Sequence, residues 1–335
     1  MPNNALSIPV LILFGPTASG KTGLLLRLFE PGVSSLCAAE VVSADSMQVY
    51  RGMDIGTAKP TIEERAALPH HLIDIHDPHE QFNVGDFVRR ADAACVDIAR
   101  RGRLAVVSGG AGFYLKNFIL GLSEAPPSDG TIRLRLKQEL RERGAAVLME
   151  ELALGDPVSA GRIHLNDEYR LLRALEVLRL CGRPLSSFQA SGAGTDTDGS
   201  GRPGYRFLII GLSRPREELY RRINLRCAAM FREGLPGEVR RLYEAGYTPL
   251  DPGLRAIGYR EFFVEAAEGK NGKEPPVFRF LEDFAGVEAL VARNSRRYAK
   301  RQAVFFASIP GVQWVEAGGE AETAERIRGA LERFL

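Results

Sequence analysis

Apolar and polar positions alternate in two periods through the first third of the chain. The apolar runs Val10-Leu11-Ile12-Leu13-Phe14, Val41 to Ala44, Leu72 to Ile75 and Leu104 to Val107 have the length of strands. Between them, Lys21 to about Phe29, stopped by Pro31-Gly32, and about Val84 to Arg100 space their apolar residues as helices do. Strands and helices in turn predict an α/β fold on a parallel sheet.

The pattern then changes. Gly121 to Gly130, with Pro126-Pro127, and Ala190 to Gly204, rich in Gly, Ser, Thr and Asp, read as connections. From Thr131 to Gln189 leucine recurs at helical spacing among Arg and Glu, with no convincing strand. The chain re-enters the sheet at Phe207 to Ile210 and continues as amphipathic helices, with an exposed loop around Gly269 to Pro276 and a late strand near Val312 to Val315. We expect a core of residues 1–122 and 205–335, interrupted by an inserted helical subdomain of 123–204 on flexible linkers.

Between the first strand and the first helix lies Gly15-Pro16-Thr17-Ala18-Ser19-Gly20-Lys21-Thr22, a phosphate-binding loop in the context such a loop requires. Its glycines let backbone N–H groups turn inward around phosphate oxygens, its lysine neutralises their charge and its threonine hydroxyl reaches Mg²⁺. The core is therefore expected to be like that of the P-loop NTPases and to grip a di- or triphosphate.

Composition narrows the picture. The 335 residues suffice for about two domains, and 45% hydrophobic with 26% charged residues is ordinary for a soluble globular chain. A net charge of +2 does not announce a nucleic-acid binder, but the basic residues cluster. They gather at Arg133, Arg135, Lys137, Arg141 and Arg143, at Arg214, Arg216, Arg221, Arg222 and Arg226, and at Arg293, Arg296, Arg297, Lys300 and Arg301. Each cluster taken alone also fits a solvated helix face. Four scattered cysteines, Cys37, Cys95, Cys181 and Cys227, form no C-x-x-C pair, so a reducing cytosol is expected. No apolar run reaches the roughly 20 residues of a membrane helix, and Met1-Pro2-Asn3-Asn4 lacks the basic start of a signal peptide.

The second strand ends in Ser43-Ala44-Asp45-Ser46, which delivers Asp45 to the sheet edge that carries the phosphate loop. A carboxylate there holds or deprotonates an acceptor in phosphate-loop kinases, although a loop-turn role fits it too. The later strand, continuing Ser108-Gly109-Gly110, ends without the acid that NTP hydrolases place there. Transfer to an acceptor is thus favoured over hydrolysis. Tyr50 to Pro60, with Lys59, suits a surface loop near a polyanion. Pro69 to His79 holds four histidines, but loop histidines flanking a proline do not make the helical face of a metal site. Gly109-Gly110-Ala111-Gly112 reads as a turn that another molecule can approach closely. Arg222 and Arg226, four apart, share a helix face and can reach one phosphate together. Arg293, Arg297 and Lys300 form a basic stripe beside Tyr298, as a helix lying along RNA would.

Further runs join the phosphate loop in an ordered series over nearly the whole chain: Ser43 to Tyr50, Met53 to Pro60, Pro69-His70-His71, Arg162-Ile163-His164 with Asn166-Asp167, Arg173 to Val177, Gly258 to Glu261 and Tyr298 to Gln302. This series resembles the bacterial tRNA dimethylallyltransferases, also called tRNA isopentenyltransferases. The resemblance implies transfer of a dimethylallyl group from dimethylallyl diphosphate to N6 of the adenosine immediately 3′ of the tRNA anticodon. It implies that Asp45 is the general base, that Thr17 meets the oxygen bridging isoprenoid and diphosphate, and that the loop residues Gly15 to Thr22 with Arg226 hold the diphosphate, Thr22 binding Mg²⁺. Contacts to the tRNA anticodon stem-loop are implied for Asp45, Ser46, Met47 and Gln48, for Ala111 and Arg133, and for Tyr169, Arg170, Leu171, Leu172 and Arg173. They are implied as well for Arg255, Ala256, Ile257, Gly258, Tyr259 and Arg260, and for Lys300, Arg301, Gln302 and on to Ala307, beside Arg297 of the basic stripe. A cytoplasmic monomer without membrane contact is expected.

Two places depart from the family pattern. Ala111 replaces a usual threonine, and Ala303-Val304-Phe305-Phe306-Ala307 replaces a usual threonine, tryptophan and closing arginine. Both bear on tRNA affinity and leave the transfer chemistry alone. An ATP-dependent small-molecule or nucleotide kinase shares the loop and Asp45 and is the rival reading; a regulatory NTP switch lacks its Asn-Lys-x-Asp motif.

Overall fold

A computed structural model describes residues 7–30, 36–188, 202–267 and 276–335. Met1 to Asn4, the helix stop at Pro31-Gly32, most of the linker expected from Ala190 to Gly204 and most of the loop expected from Gly269 to Pro276 lie outside the described residues. The chain divides into two compact units, residues 1–119 with 196–335 and residues 120–195.

The first unit begins β1 (Ile8–Phe14), α1 (Lys21–Leu28), β2 (Ala39–Ser43), α2 (Ile62–Ala67), β3 (His70–His71), α3 (Val84–Arg100), β4 (Leu104–Gly109) and α4 (Gly112–Leu120). The second unit holds α5 (Gly130–Gly155), α6 (Pro157–Ala160) and α7 (Glu168–Cys181). The chain then returns to the first with β5 (Tyr205–Ser213), α8 (Arg216–Arg232), α9 (Leu235–Glu244), β6 (Phe263–Ala267), β7 (Val277–Phe280), α10 (Phe284–Phe306), β8 (Gln313–Glu316) and α11 (Glu320–Phe334).

Among the described residues the first unit carries a six-stranded sheet in the order β3-β2-β4-β1-β5-β8, every pair parallel. Its fold is that of the phosphate-loop proteins. Strand β1 lies between β4 and β5 and is buried from Val10 to Phe14, which explains its unbroken apolar run. One face packs α1 and α11 through Leu24, Leu28, Ile327 and Leu331. Parallel strands put all their carboxyl ends at one edge, so the segments after β1, β2 and β4 meet there.

Two elements differ from the pattern-based expectation. Leu72 to Ile75 is not a strand: pairing is confined to His70–His71, because Leu72 and Asp74 adopt left-handed φ of 63° and 56°. Such backbone cannot continue a strand, and Asp74 is held there by Lys59 at 2.5 Å and Arg65 at 3.1 Å. After α9 the chain forms an antiparallel pair, β6 with β7, where helices were expected. The rings of Phe262, Phe263, Phe280, Phe284 and Tyr243 pack around that pair and supply its core.

In the second unit α5 is interrupted at Gly144, whose φ of 80° lets the helix change direction. Leu136 before the break and Leu148 and Leu152 after it all bury against Leu171 and Leu175 of α7. Arg179 of α7 then pairs with both Glu139 and Glu151, one from each limb of α5.

Candidate functional site

The phosphate loop wraps between β1 and α1, with Ala18 at φ 63° and Gly20 at φ 98° providing its turns. Thr17, Ala18, Gly20, Lys21 and Thr22 line a cavity of about 990 Å³. Gly15, Pro16 and Ser19 are buried beneath them and shape the loop from behind. A side chain at Gly15 would lie 2.8 Å from the Ser19 hydroxyl oxygen.

Cations converge on this loop. Lys21 Nζ donates to Gly15 O at 2.9 Å and Pro16 O at 3.1 Å. From the other side Arg214 Nε donates to Ser19 O at 3.0 Å, Arg222 Nε to Ala18 O at 2.9 Å and Arg226 Nη1 to Thr17 Oγ1 at 3.0 Å. Burial and the nearby Arg226 push the Lys21 ammonium down to about 8, against the opposing pull of Asp45. Arg226 is likewise held below its ordinary range by burial, with Asp45 opposing. So much positive charge around a backbone cradle calls for a polyanion. Arg222 and Arg226 do share one helix face, and both line the larger cavity.

Asp45 follows β2 at the same edge. Its Oδ1 accepts from the N–H of Met47 at 2.8 Å and, at 3.4 Å, from that of Gln48, so one oxygen serves the turn. The carboxylate also lines the larger cavity and a second one of about 290 Å³. The two cavities share Thr17, Asp45, Thr57, Arg226, Met230 and Tyr298 in their walls. Burial, with Asp45 nearby, pushes the Tyr298 phenol up to about 12, so it stays protonated at neutral pH.

Ser46, Met47, Arg255, Ala256, Ile257, Arg260 and Arg301 line the second cavity, and Gln48 lines the first. Other expected RNA contacts sit differently. Leu171, Leu172 and Tyr259 are buried, and the Tyr259 hydroxyl donates to Glu238 at 2.7 Å. Their side chains support exposed neighbours rather than reach a partner. Arg297 and Lys300 are exposed on α10, whereas Gln302 is buried. Ala111 N–H donates to Ala44 O at 3.0 Å, tying the turn after β4 to β2. In the second unit Glu176, fully buried, accepts from Arg133 at 3.2 Å and Arg173 at 2.9 Å, and Arg133 stacks on the exposed ring of Tyr169. Arg170 pairs with Asp167 at 2.9 Å.

The glycine-rich turn makes room for the protein itself, where the sequence reading left it open to another molecule. A Cβ on Gly109 would lie 2.0 Å from Ala44 O, on Gly110 2.6 Å from Gln302 Nε2, and on Gly112 2.5 Å from Phe305. The histidines disperse: His70 meets Leu68 O, His71 pairs with Glu40, and His76 and His79 pack on Phe82 and Tyr247.

Sequence reasoning missed Glu238. Its carboxylate is buried and accepts the N–H groups of Asp54, Ile55 and Gly56 at 2.9, 2.8 and 3.2 Å. It thereby fixes the loop that walls both cavities. Nothing local in Leu235 to Glu244 distinguishes Glu238 from a surface glutamate, since its partners lie about 180 residues earlier.

Mg²⁺ fits this donor set. Among the described residues no group of three His, Cys, Asp or Glu stands ready to cage a metal. Exposed Thr22 at the cavity wall offers an oxygen, and Mg²⁺ typically binds through few protein oxygens together with substrate phosphates.

A phosphate cradle ringed by cations, with a carboxylate in the wall that two cavities share, defines a phosphate-loop protein. The chain belongs to the IPP transferase family, whose model matches residues 48–308. It is 44% identical over 307 residues to the tRNA dimethylallyltransferase of Geobacter sulfurreducens, covering 92% of this chain and 91% of that protein. It is 41% identical over 335 residues to tRNA dimethylallyltransferase 1 of Citrifermentans bemidjiense, covering 100% of both. The solved structure of the full-length tRNA isopentenylpyrophosphate transferase from Bacillus halodurans is similar with a TM-score of 0.63 and 35% identity, covering 98% of each chain. Among the described residues no helix is long and apolar enough to cross a membrane.

Proposed function

We propose that this protein is a tRNA dimethylallyltransferase. It transfers the dimethylallyl group of dimethylallyl diphosphate to N6 of the adenosine immediately 3′ of the anticodon. The observation that carries the reading is the shared wall of the two cavities, where Thr17, Asp45 and Arg226 stand together. One cavity presents the phosphate cradle to the donor. The other admits an adenine drawn out of its stack, because a stacked base cannot reach the loop.

In the transfer, a bond forms from N6 to the isoprenoid carbon and the bond from that carbon to the bridging oxygen breaks. The diphosphate leaves with the electron pair. An exocyclic amine is a poor nucleophile, so Asp45 takes its proton. Its Oδ1 is anchored by the turn, which fixes where the carboxylate points. Thr17 meets the bridging oxygen, and Arg226, Lys21 and the loop N–H groups stabilise the charge that develops there. Thr22 would hold Mg²⁺ against the diphosphate, where the ion supplies further neutralisation. Arg255, Arg260 and Arg301 give the second cavity a basic rim suited to the RNA backbone.

A kinase reading explains the loop and Asp45 but neither the second cavity nor the basic helix, and the relatives named above are transferases. The test is to incubate the protein with Mg²⁺ and tRNA and supply either dimethylallyl diphosphate or ATP. Isoprenoid gain on RNA is expected with the first; ATP turnover without an RNA product overturns the reading.

A further inference from the structure

Gln302 stands in the run expected to touch tRNA, yet it is only 5% exposed and both ends of its amide serve the protein. Its Oε1 accepts from the Thr17 N–H at 3.0 Å. Its Nε2 donates to Gly110 O at 2.8 Å. One side chain therefore joins the phosphate loop after β1 to the turn after β4. Gly110 has no side chain because a Cβ would lie 2.6 Å from that Nε2.

The neighbouring residues of α10 reinforce the joint. Phe306, one turn on, packs against Phe14 with ring centroids 4.7 Å apart, and Phe14 is the last residue of β1 before the loop. Tyr298, one turn earlier, lines both cavities. The exposed Lys300 and Arg301 lie between them on the same helix, and exposed Arg297 directly precedes Tyr298.

We propose that Gln302 is a positioning residue for the transfer, its amide setting the place of Thr17 while the basic residues beside it face the RNA. The inference rests on the function proposed above. Thr17 matters because its hydroxyl already accepts from Arg226 at 3.0 Å and is the group assigned to the bridging oxygen. Only an amide of this length both accepts from one backbone and donates to the other. A carboxylate lacks the donor, and an apolar side chain lacks both.

Three measurements on the full chain test this. The first, calorimetric binding of inorganic diphosphate in Mg²⁺ buffer, needs no transfer and so stands apart from the functional reading. The Gln302→Met variant, which keeps the volume, is expected to bind diphosphate roughly tenfold more weakly and to lower kcat by about 10- to 100-fold, as misplacement of a reacting group does. Its tRNA Kd and the salt dependence of that Kd are expected to stay within about twofold of wild type. If Gln302→Met does not fold, Gln302→Leu, which likewise removes both the acceptor for Thr17 and the donor to Gly110 without adding charge, is read in the same way. The second is a double-mutant cycle with Gly110→Ala, whose Cβ displaces the same amide: the double variant is expected to be no worse than Gln302→Met alone. The third is wild-type transfer itself, whose failure would count against the functional reading and not against the diphosphate result. Unchanged diphosphate affinity, additive losses, or a loss confined to tRNA Kd would each overturn the proposal.

Discussion

Under the proposed function Asp45 has two duties, holding its turn and taking the N6 proton. Oδ1 holds the turn through Met47 N–H, so replacing the carboxylate by an amide keeps an oxygen for the backbone and removes the base. We expect Asp45→Asn to slow transfer by about 10²- to 10⁴-fold while tRNA still binds. Equal losses of rate and of tRNA affinity would move Asp45 from chemistry to recognition. Lys21 yields a pH prediction. Burial and Arg226 place its free-protein value at about 8, and the diphosphate prefers the charged ammonium. As pH rises through about 8 the ammonium is lost, so kcat/KM for the donor should fall on the alkaline side. In Lys21→Arg, whose charge persists, that fall should vanish. Asp45, Thr17 and Arg226 were legible in the sequence because loop spacing, strand order and helix periodicity each fix where they end up. Glu238 was not, nor was the internal bonding of Gln302, which the resemblance placed against tRNA, because each side chain meets backbone groups far away in sequence and no local pattern encodes such a partner.

At the scale of elements, the loop from Met53 to Pro60 is rigid for reasons that its polar composition conceals. Glu238 accepts three successive N–H groups from it, and Lys59 is buried against Tyr50 O, Asp54 and Asp74. Glu238→Ala leaves those donors and the Tyr259 hydroxyl without an acceptor. At about 1–3 kcal/mol for a buried unsatisfied group, we expect a loss of about 3 kcal/mol, read as a lower urea midpoint at unchanged m-value. In the second unit, burial pushes the Glu176 carboxyl up, but hydrogen bonds from Ser128, Arg173 and the Asp129 backbone outweigh it and leave it below its usual range. Charged Glu176 therefore orients Arg133 and Arg173 together. Glu176→Gln should raise KM for tRNA several-fold and leave KM for the donor unchanged. The strands buried in the sheet were readable from their runs. Leu72 to Ile75 misled because its apolar run is bent by two left-handed residues that only the Asp74 ion pairs explain. The β6–β7 pair was hidden because its stability comes from rings of α9 and α10 packing on it, which no window of sequence contains.

For the molecule as a whole, the net charge of +2 conceals the arrangement that matters. Basic residues ring the phosphate loop, rim the second cavity and line the exposed face of α10. If that face follows RNA phosphates, Arg297→Ala should weaken tRNA binding and reduce its salt slope by about one. An unchanged slope would return Arg297 to a solvated helix face. The central claim is that the two cavities bring an isoprenoid donor and one particular adenine amine together at Asp45. The most direct measurement offers dimethylallyl diphosphate and Mg²⁺ with two anticodon stem-loop RNAs, one bearing adenosine 3′ of the anticodon and one bearing inosine there, and analyses the digested nucleosides by mass spectrometry. The account predicts N6-(dimethylallyl)adenosine from the first RNA and no isoprenoid product from the second. Modification of both RNAs, or of neither, would contradict it.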